Sequence, residues 1–156
     1  MTEAPDRLAD ELVVARDEFL AALAAIEPAR LADPGLHGTW SARELIAHLG
    51  YWVGHAADAI HAAEEGWADA FEVADAATDG RNETVARIAR QTDLETVRRR
   101  EAASFDALLE RLRGLDPALL DIRLADWGSL HDGVREDGAN HYRAHATDLR
   151  SEVEAP

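Results

Sequence analysis

Apolar residues recur at steps of three and four along most of the chain, which is the period of amphipathic helices. The first stretch with this period predicts a helix over about residues 5–26. Ser41 and Glu44 then form an S-x-x-E capping box, the usual start signal of a helix. The second helix is predicted to run to residue 65, because Gly66 follows as the expected terminating glycine.

The helical period is interrupted in the middle of the chain. It weakens between residues 67 and 80, where we predict an irregular segment or a short helix. It returns over residues 83–90 and, after Gln91-Thr92-Asp93, over residues 94–112. The middle of the chain is therefore predicted to hold one short and one longer helix.

The last part of the chain begins with breaking residues and ends as a helix. Residues 118–128 are predicted to be loop with at most one turn. Ser129 and Asp132 resemble another helix start, and this helix is predicted to reach about Val153. The whole pattern predicts an all-α fold, a four-helix bundle with two longer connections, formed by residues 1–156 as one domain.

The composition and net charge of the chain argue against nucleic-acid and membrane partners. Hydrophobic residues make up 47% of the chain, and 16 basic residues face 31 acidic ones, giving a net charge of −15. Such a charge repels phosphate backbones and anionic lipids, so we expect no nucleic-acid or membrane partner. The triplet Arg98-Arg99-Arg100, flanked by Glu95 and Glu101, is either a phosphate site or an exposed helix face with ion pairs.

The chain contains no cysteine, so disulfides, thiolate ligands and a cysteine nucleophile are excluded. Any thiol chemistry must use an external thiol. The acidic N-terminus lacks the features of a signal peptide, and no apolar stretch approaches the ~18 residues of a membrane span. We therefore expect a cytoplasmic protein.

Three histidines fall on the inward stripes of predicted helices. His141 and His145 lie one helical turn apart, and His48 shares the apolar stripe of the second helix. Imidazoles on facing helices of a bundle can converge on one cation such as zinc, nickel or iron. The alternative is that each is a core histidine bonded to a carbonyl or carboxylate, and the spacing leaves both open.

Two segments resemble a known family. Trp40-Ser41-Ala42-Arg43-Glu44-Leu45-Ile46-Ala47-His48-Leu49 resembles the W-S-x-x-(D/E)-L-x-x-H-L signature of the DinB-like superfamily. His141-Tyr142-Arg143-Ala144-His145 resembles its H-x-x-x-H signature, and Arg81-Asn82-Glu83 with Leu94-Glu95-Thr96-Val97 is similar to its third-helix region. Within the superfamily, the chain is most similar to the N-terminal domain of mycothiol-dependent maleylpyruvate isomerase.

The resemblance implies a four-helix bundle with a divalent metal held by His48, His141 and His145. It also implies a homodimer and activities such as thiol transfer or metal-dependent hydrolysis. Isomerases of this kind carry a second domain, whereas this chain ends at Pro156, so we do not carry isomerisation itself over to it.

Other polar residues near these helices are candidates for lining the pocket. His55 lies two turns from His48, too far along the axis to share one ion, and we expect it to line the pocket or the core. Asp148, three residues after His145, is placed to orient that imidazole or to face solvent. The other pocket candidates lie one turn either side of His48 and are Glu44 and Trp52. Three further histidines lack supporting spacing and are predicted to be surface residues: His37, His61 and His131.

A site of three neutral imidazoles leaves open positions on a zinc-like ion, where water or a thiolate can bind. The leading hypothesis is a metal-dependent S-transferase, using mycothiol or a similar small thiol, or a hydrolase acting on a small electrophile. Two alternatives are a metal-binding or stress-linked helical module without turnover and a metal-free interaction domain.

Overall fold

The computed structural model describes residues 4–71, 78–125 and 127–154. This part of the chain is mostly helical, so the prediction of an all-α class is confirmed. Among the described residues, no helix is both long enough and apolar enough to span a membrane. The α-helical segments are α1 (Ala4–Ala24), α2 (Ala42–Glu65), α3 (Thr78–Arg90), α4 (Leu94–Arg113), α5 (Leu130–Arg135) and α6 (His141–Glu154).

Local signals in the sequence set both ends of α2. The Ser41 hydroxyl accepts a hydrogen bond from the Glu44 backbone N–H at 3.4 Å, and the Glu44 carboxylate accepts one from the Ser41 N–H at 3.3 Å. Gly66 ends the helix in the left-handed conformation, with φ of 82°. The predicted capping box and the predicted terminating glycine are both confirmed.

Of the other predicted helix boundaries, some are confirmed and others lie at different residues. The break at Gln91-Thr92-Asp93 separates α3 from α4, and the Asp93 side chain caps α4 by accepting from the Thr96 N–H. However, α3 begins at Thr78, earlier than predicted. Within the predicted irregular segment the structure has a 3₁₀ turn, Ala68–Ala70, while residues 72–77 lie outside the described residues.

The prediction of loop with at most one turn over residues 118–128 did not include a small antiparallel sheet that the structure has there. After a 3₁₀ turn at Pro117–Asp121, Arg123–Leu124 pairs antiparallel with Trp127–Ser129 as strands β1 and β2. Strands of two and three residues are too short to show an alternating pattern in the sequence. This small sheet leads directly into the cap of α5.

The predicted last helix begins where expected but is not uniform. Ser129 caps α5 by accepting from the Asp132 N–H at 3.2 Å. Between α5 and α6 lies a π-helical turn, Glu136–Asn140, which immediately precedes His141. Because a π-helical turn bonds over five residues, it changes the direction in which the following side chains point.

Burial of the apolar stripes brings the helices together. α2 packs on α3 and α4, α1 packs on α4 and α6, and the π-helical turn lies against both α1 and α2. Leu45, Leu49 and Ile60 of α2 are fully buried, and each contributes about 2 kcal/mol through removal of apolar surface from water. This packing places the start of α6 beside the first turns of α2.

Candidate metal centre

Three imidazoles meet where α2 faces α6. His48 and His145 are buried, and His141 is half-buried beside them. The Nε2 atoms of His48 and His141 lie 2.8 Å apart, and one ligand nitrogen from each of the three residues lies within 4.8 Å of the others. Because tetrahedral zinc holds imidazole nitrogens at ~2.0–2.1 Å, a group of this size can close around one such ion with small side-chain adjustments.

The surroundings keep these imidazoles neutral. Burial, followed by the neighbouring His141 and His145, lowers the pKa of His48 to about 2. Burial and then His145 lower the pKa of His141 to about 3, and burial also lowers the pKa of His145. A neutral imidazole offers a lone pair, which is the form that binds a metal ion.

The Nδ1 atoms of the three histidines differ in their hydrogen bonding. Asp148 lies 2.9 Å from Nδ1 of His145 and can fix that ring with Nε2 directed away from the carboxylate. Nδ1 of His48 and Nδ1 of His141 are buried and have no well-aligned hydrogen-bond partner among the described residues. Burying polar nitrogens with so few partners costs free energy. A metal ion bound by the ring nitrogens that face one another would offset this cost. The donor set therefore fits a divalent metal.

His37 is the residue that helical spacing did not indicate. It was predicted to be a surface residue, yet its ring centroid lies 5.1 Å from that of His145. Its Nδ1 lies 3.1 Å from the Asp148 carboxylate, although 41% of its side chain is exposed. Asp148 thus contacts two imidazoles, and His37, His145 and Asp148 form a second group with metal-binding atoms close together.

A tight turn in the loop before α2 brings His37 to this position. The backbones of His37 and Trp40 hydrogen-bond to each other in both directions, and Gly38 between them has a positive φ of 58°. The Trp40 ring lies 5.0 Å from His48 and 6.0 Å from His37, measured between ring centroids. A glycine and a tryptophan just before the capping box are the signals that could have indicated a turn over the site.

The remaining candidates for the pocket have other contacts. Glu44 caps α2 and accepts a hydrogen bond from Arg90 of α3 at 2.8 Å. The Trp52 indole N–H donates to the Asn82 side chain, also on α3, at 2.8 Å. Both residues therefore fasten α3 to α2.

His55 is paired with a carboxylate outside the three-histidine group. Its Nδ1 lies 3.2 Å from the Asp137 carboxylate, and its ring packs on Phe71 with centroids 4.8 Å apart. Burial raises the pKa of Asp137, and the hydrogen bond from His55 opposes this shift. Since Asp137 belongs to the π-helical turn before His141, this pair fixes the turn against α2.

A buried ionic cluster supports α6 on its other side. Arg16 of α1 donates two hydrogen bonds of 2.9 Å to the Glu101 carboxylate of α4. The Tyr142 hydroxyl donates a short hydrogen bond to the same carboxylate, and burial raises the pKa of Tyr142. Because Tyr142 follows His141 directly, the cluster joins three helices next to the histidine group.

Comparison with known proteins identifies the family. The model described as the mycothiol maleylpyruvate isomerase N-terminal domain matches residues 12–150. No match to the chain was found among curated proteins or among solved structures. Because the family match extends over most of the chain, including all three histidines, the protein belongs to this DinB-like family of mycothiol maleylpyruvate isomerase N-terminal domains.

Proposed function

We propose that His48, His141 and His145 hold a divalent metal ion, with zinc the leading candidate and nickel or iron as alternatives. The convergence of three neutral imidazoles within 4.8 Å is the observation that carries this proposal. We further propose that α1, α2, α4 and the α5 to α6 segment form a four-helix bundle of the DinB type around these three histidines.

The proposed activity is transfer of a small-molecule thiol to a small electrophile, or hydrolysis of such an electrophile. A bound ion supplies an acidic centre that favours the deprotonated form of a thiol or of water. His48, His141 and His145 would hold that ion, while the ring of Trp40 lies beside His48 and the ring of His37 beside His145. The chain has no cysteine, so the thiol is external, and the family points to mycothiol.

Elemental analysis of the purified protein tests the metal proposal. We expect close to one equivalent of a first-row metal in the wild type and strong loss in the variants His48→Gln, His141→Gln and His145→Gln. His61→Gln is the matched control, because His61 lies on the exposed side of α2. Equal metal content in the wild type and the three site variants would overturn the proposal.

Conjugation of mycothiol with 1-chloro-2,4-dinitrobenzene tests the activity. The metal-loaded wild type should accelerate release of chloride as the sulfur-carbon bond forms, and His141→Gln should not. Metal binding without acceleration, across several thiols and ester substrates, would favour the non-catalytic metal-binding module instead.

We also propose a homodimer, which light scattering in solution tests directly.

A further inference from the structure

A cleft lies between α2, α3 and α4, on a different side of α2 from the one that carries His48. Its volume is about 240 Å³. Ala47 and Gly50 of α2 line one side, and Val85, Ile88 and Ala89 of α3 line the other. The lining is predominantly apolar, and none of the three clustered histidines belongs to it.

Small side chains on closely packed helices create this space. A Cβ atom on Gly50 would lie 3.1 Å from the Glu101 Cα atom, so α2 and α4 are nearly in backbone contact there. α3 lies across them and faces the cleft with Ala89. The cleft lies beside this close contact, where Ala47, Gly50 and Ala89 contribute only small side chains to its walls.

The cleft opens onto the surface through exposed apolar residues. Ile88 is 47% exposed and Tyr51 is 36% exposed, although both are large and hydrophobic. Tyr51, Val85 and Ile88 also line an adjoining wider groove that runs to Gly80. An apolar ligand can therefore reach the cleft directly from solvent.

The charge beside the cleft selects the kind of ligand. Arg100 lines the cleft with an exposed side chain, and it forms no ion pair with any of the described residues. Its neighbour Glu101 does not neutralise it, because that carboxylate is occupied by Arg16 and Tyr142. An unpaired guanidinium next to an apolar cavity, in a chain of net charge −15, is complementary to an anionic group on an apolar ligand.

We propose that this cleft binds a small aromatic carboxylate, with the ring between α2 and α3 and the carboxylate on Arg100. An apolar cavity of ~150 Å³ accommodates benzene. A volume of about 240 Å³ therefore admits a fused two-ring compound. The site is separate from the histidine group, so the proposal does not depend on bound metal.

Calorimetric titration with naphthalene-2-carboxylate tests the proposal. We expect saturable binding to the wild type, and at least fivefold weaker binding of the neutral naphthalene-2-methanol. Arg100→Gln should weaken carboxylate binding at least fivefold, whereas Arg98→Gln should leave it unchanged. Arg98 is the matched control, since it lies on the same helix but lines another cleft, beside Arg16.

A variant that fills the cleft gives an independent check. Val85→Phe places a larger ring in the cavity at a half-buried position and should abolish binding without lowering the melting temperature by more than a few degrees. Protein treated with a chelator should bind the probe as well as untreated protein. The proposal is overturned by absence of saturable binding, by equal affinity for the alcohol, or by a loss in Arg98→Gln that Arg100→Gln does not show.

Discussion

Asp148 is the residue through which two imidazoles at the candidate metal centre are held together. Its carboxylate lies 2.9 Å from Nδ1 of His145 and 3.1 Å from Nδ1 of His37. Carboxylates in this position orient ligand imidazoles, and their removal commonly costs 10- to 100-fold in metal affinity. We therefore expect Asp148→Ala to weaken zinc binding by about tenfold or more.

Competition with a chromophoric chelator measures this change. His37→Gln is the informative comparison, because it removes the more exposed partner and leaves the contact between Asp148 and His145 in place. We expect a smaller loss of affinity in that variant. Unchanged affinity in Asp148→Ala would show that the carboxylate does not orient a ligand.

Tyr142 contributes to stability through one buried hydroxyl. Its side chain is fully buried and donates to Glu101, which is itself 3% exposed. Tyr142→Phe leaves the carboxylate without one of its donors, so we expect a loss of about 1–3 kcal/mol in the free energy of unfolding. Urea denaturation measures it, with the exposed Tyr51→Phe as control, and equal losses in the two variants would contradict the interpretation.

At the scale of the helices, two glycines of α2 are expected to respond in opposite ways to replacement by alanine. A Cβ on Gly50 would meet the backbone of α4 at 3.1 Å, whereas a Cβ on Gly54 would meet the Ser104 side chain, with the hydroxyl nearest at 3.3 Å. A hydroxyl can rotate away, but a helix backbone cannot move without separating α2 from α4. Alanine also favours a helix over glycine by about 1 kcal/mol.

We therefore expect Gly50→Ala to lower the free energy of unfolding by about 1–3 kcal/mol, the usual cost of overpacking. Gly54→Ala should be neutral or stabilising by up to ~1 kcal/mol. The urea midpoints of the two variants provide the measurement. A Gly50→Ala protein as stable as the wild type would mean that α2 and α4 can separate without cost.

For the whole molecule, the buried imidazoles predict a dependence of stability on pH. The pKa values of His48 and His141 are about 2 and about 3 in the folded protein, below the ordinary value of ~6.5. Between these values the unfolded chain binds protons that the folded chain does not. Their full contribution to stability is thus present above pH ~6.5 and is lost progressively as the pH falls below it.

Urea unfolding of the metal-free protein at several pH values tests this dependence. At pH 5 we expect protonation of the unfolded chain at His48 alone to cost about 2 kcal/mol relative to pH 7.5. His48→Gln should show a shallower fall than the wild type, while His61→Gln should show the same fall. An identical slope in His48→Gln and the wild type would contradict the prediction.

The sequence by itself determined the helices and two of their caps, because helical period and capping are local properties. The helix caps formed by Ser41 with Glu44 and by Ser129 with Asp132 can be recognised from segments of four residues. The spacing of His141 and His145 is an equally local pattern. The DinB-like signature around His48 was readable for the same reason, and the family match agrees with it. Local patterns cannot show how distant segments meet.

Only the tertiary structure decided which side chains come together. It brings His48 to His141 across a separation of 93 residues, and it adds His37 from a loop that has no helical period. The π-helical turn, the short strands and the ionic cluster at Glu101 also depend on packing between segments. Their physical cause is burial, which pairs polar groups with whichever partners the folded helices bring within reach.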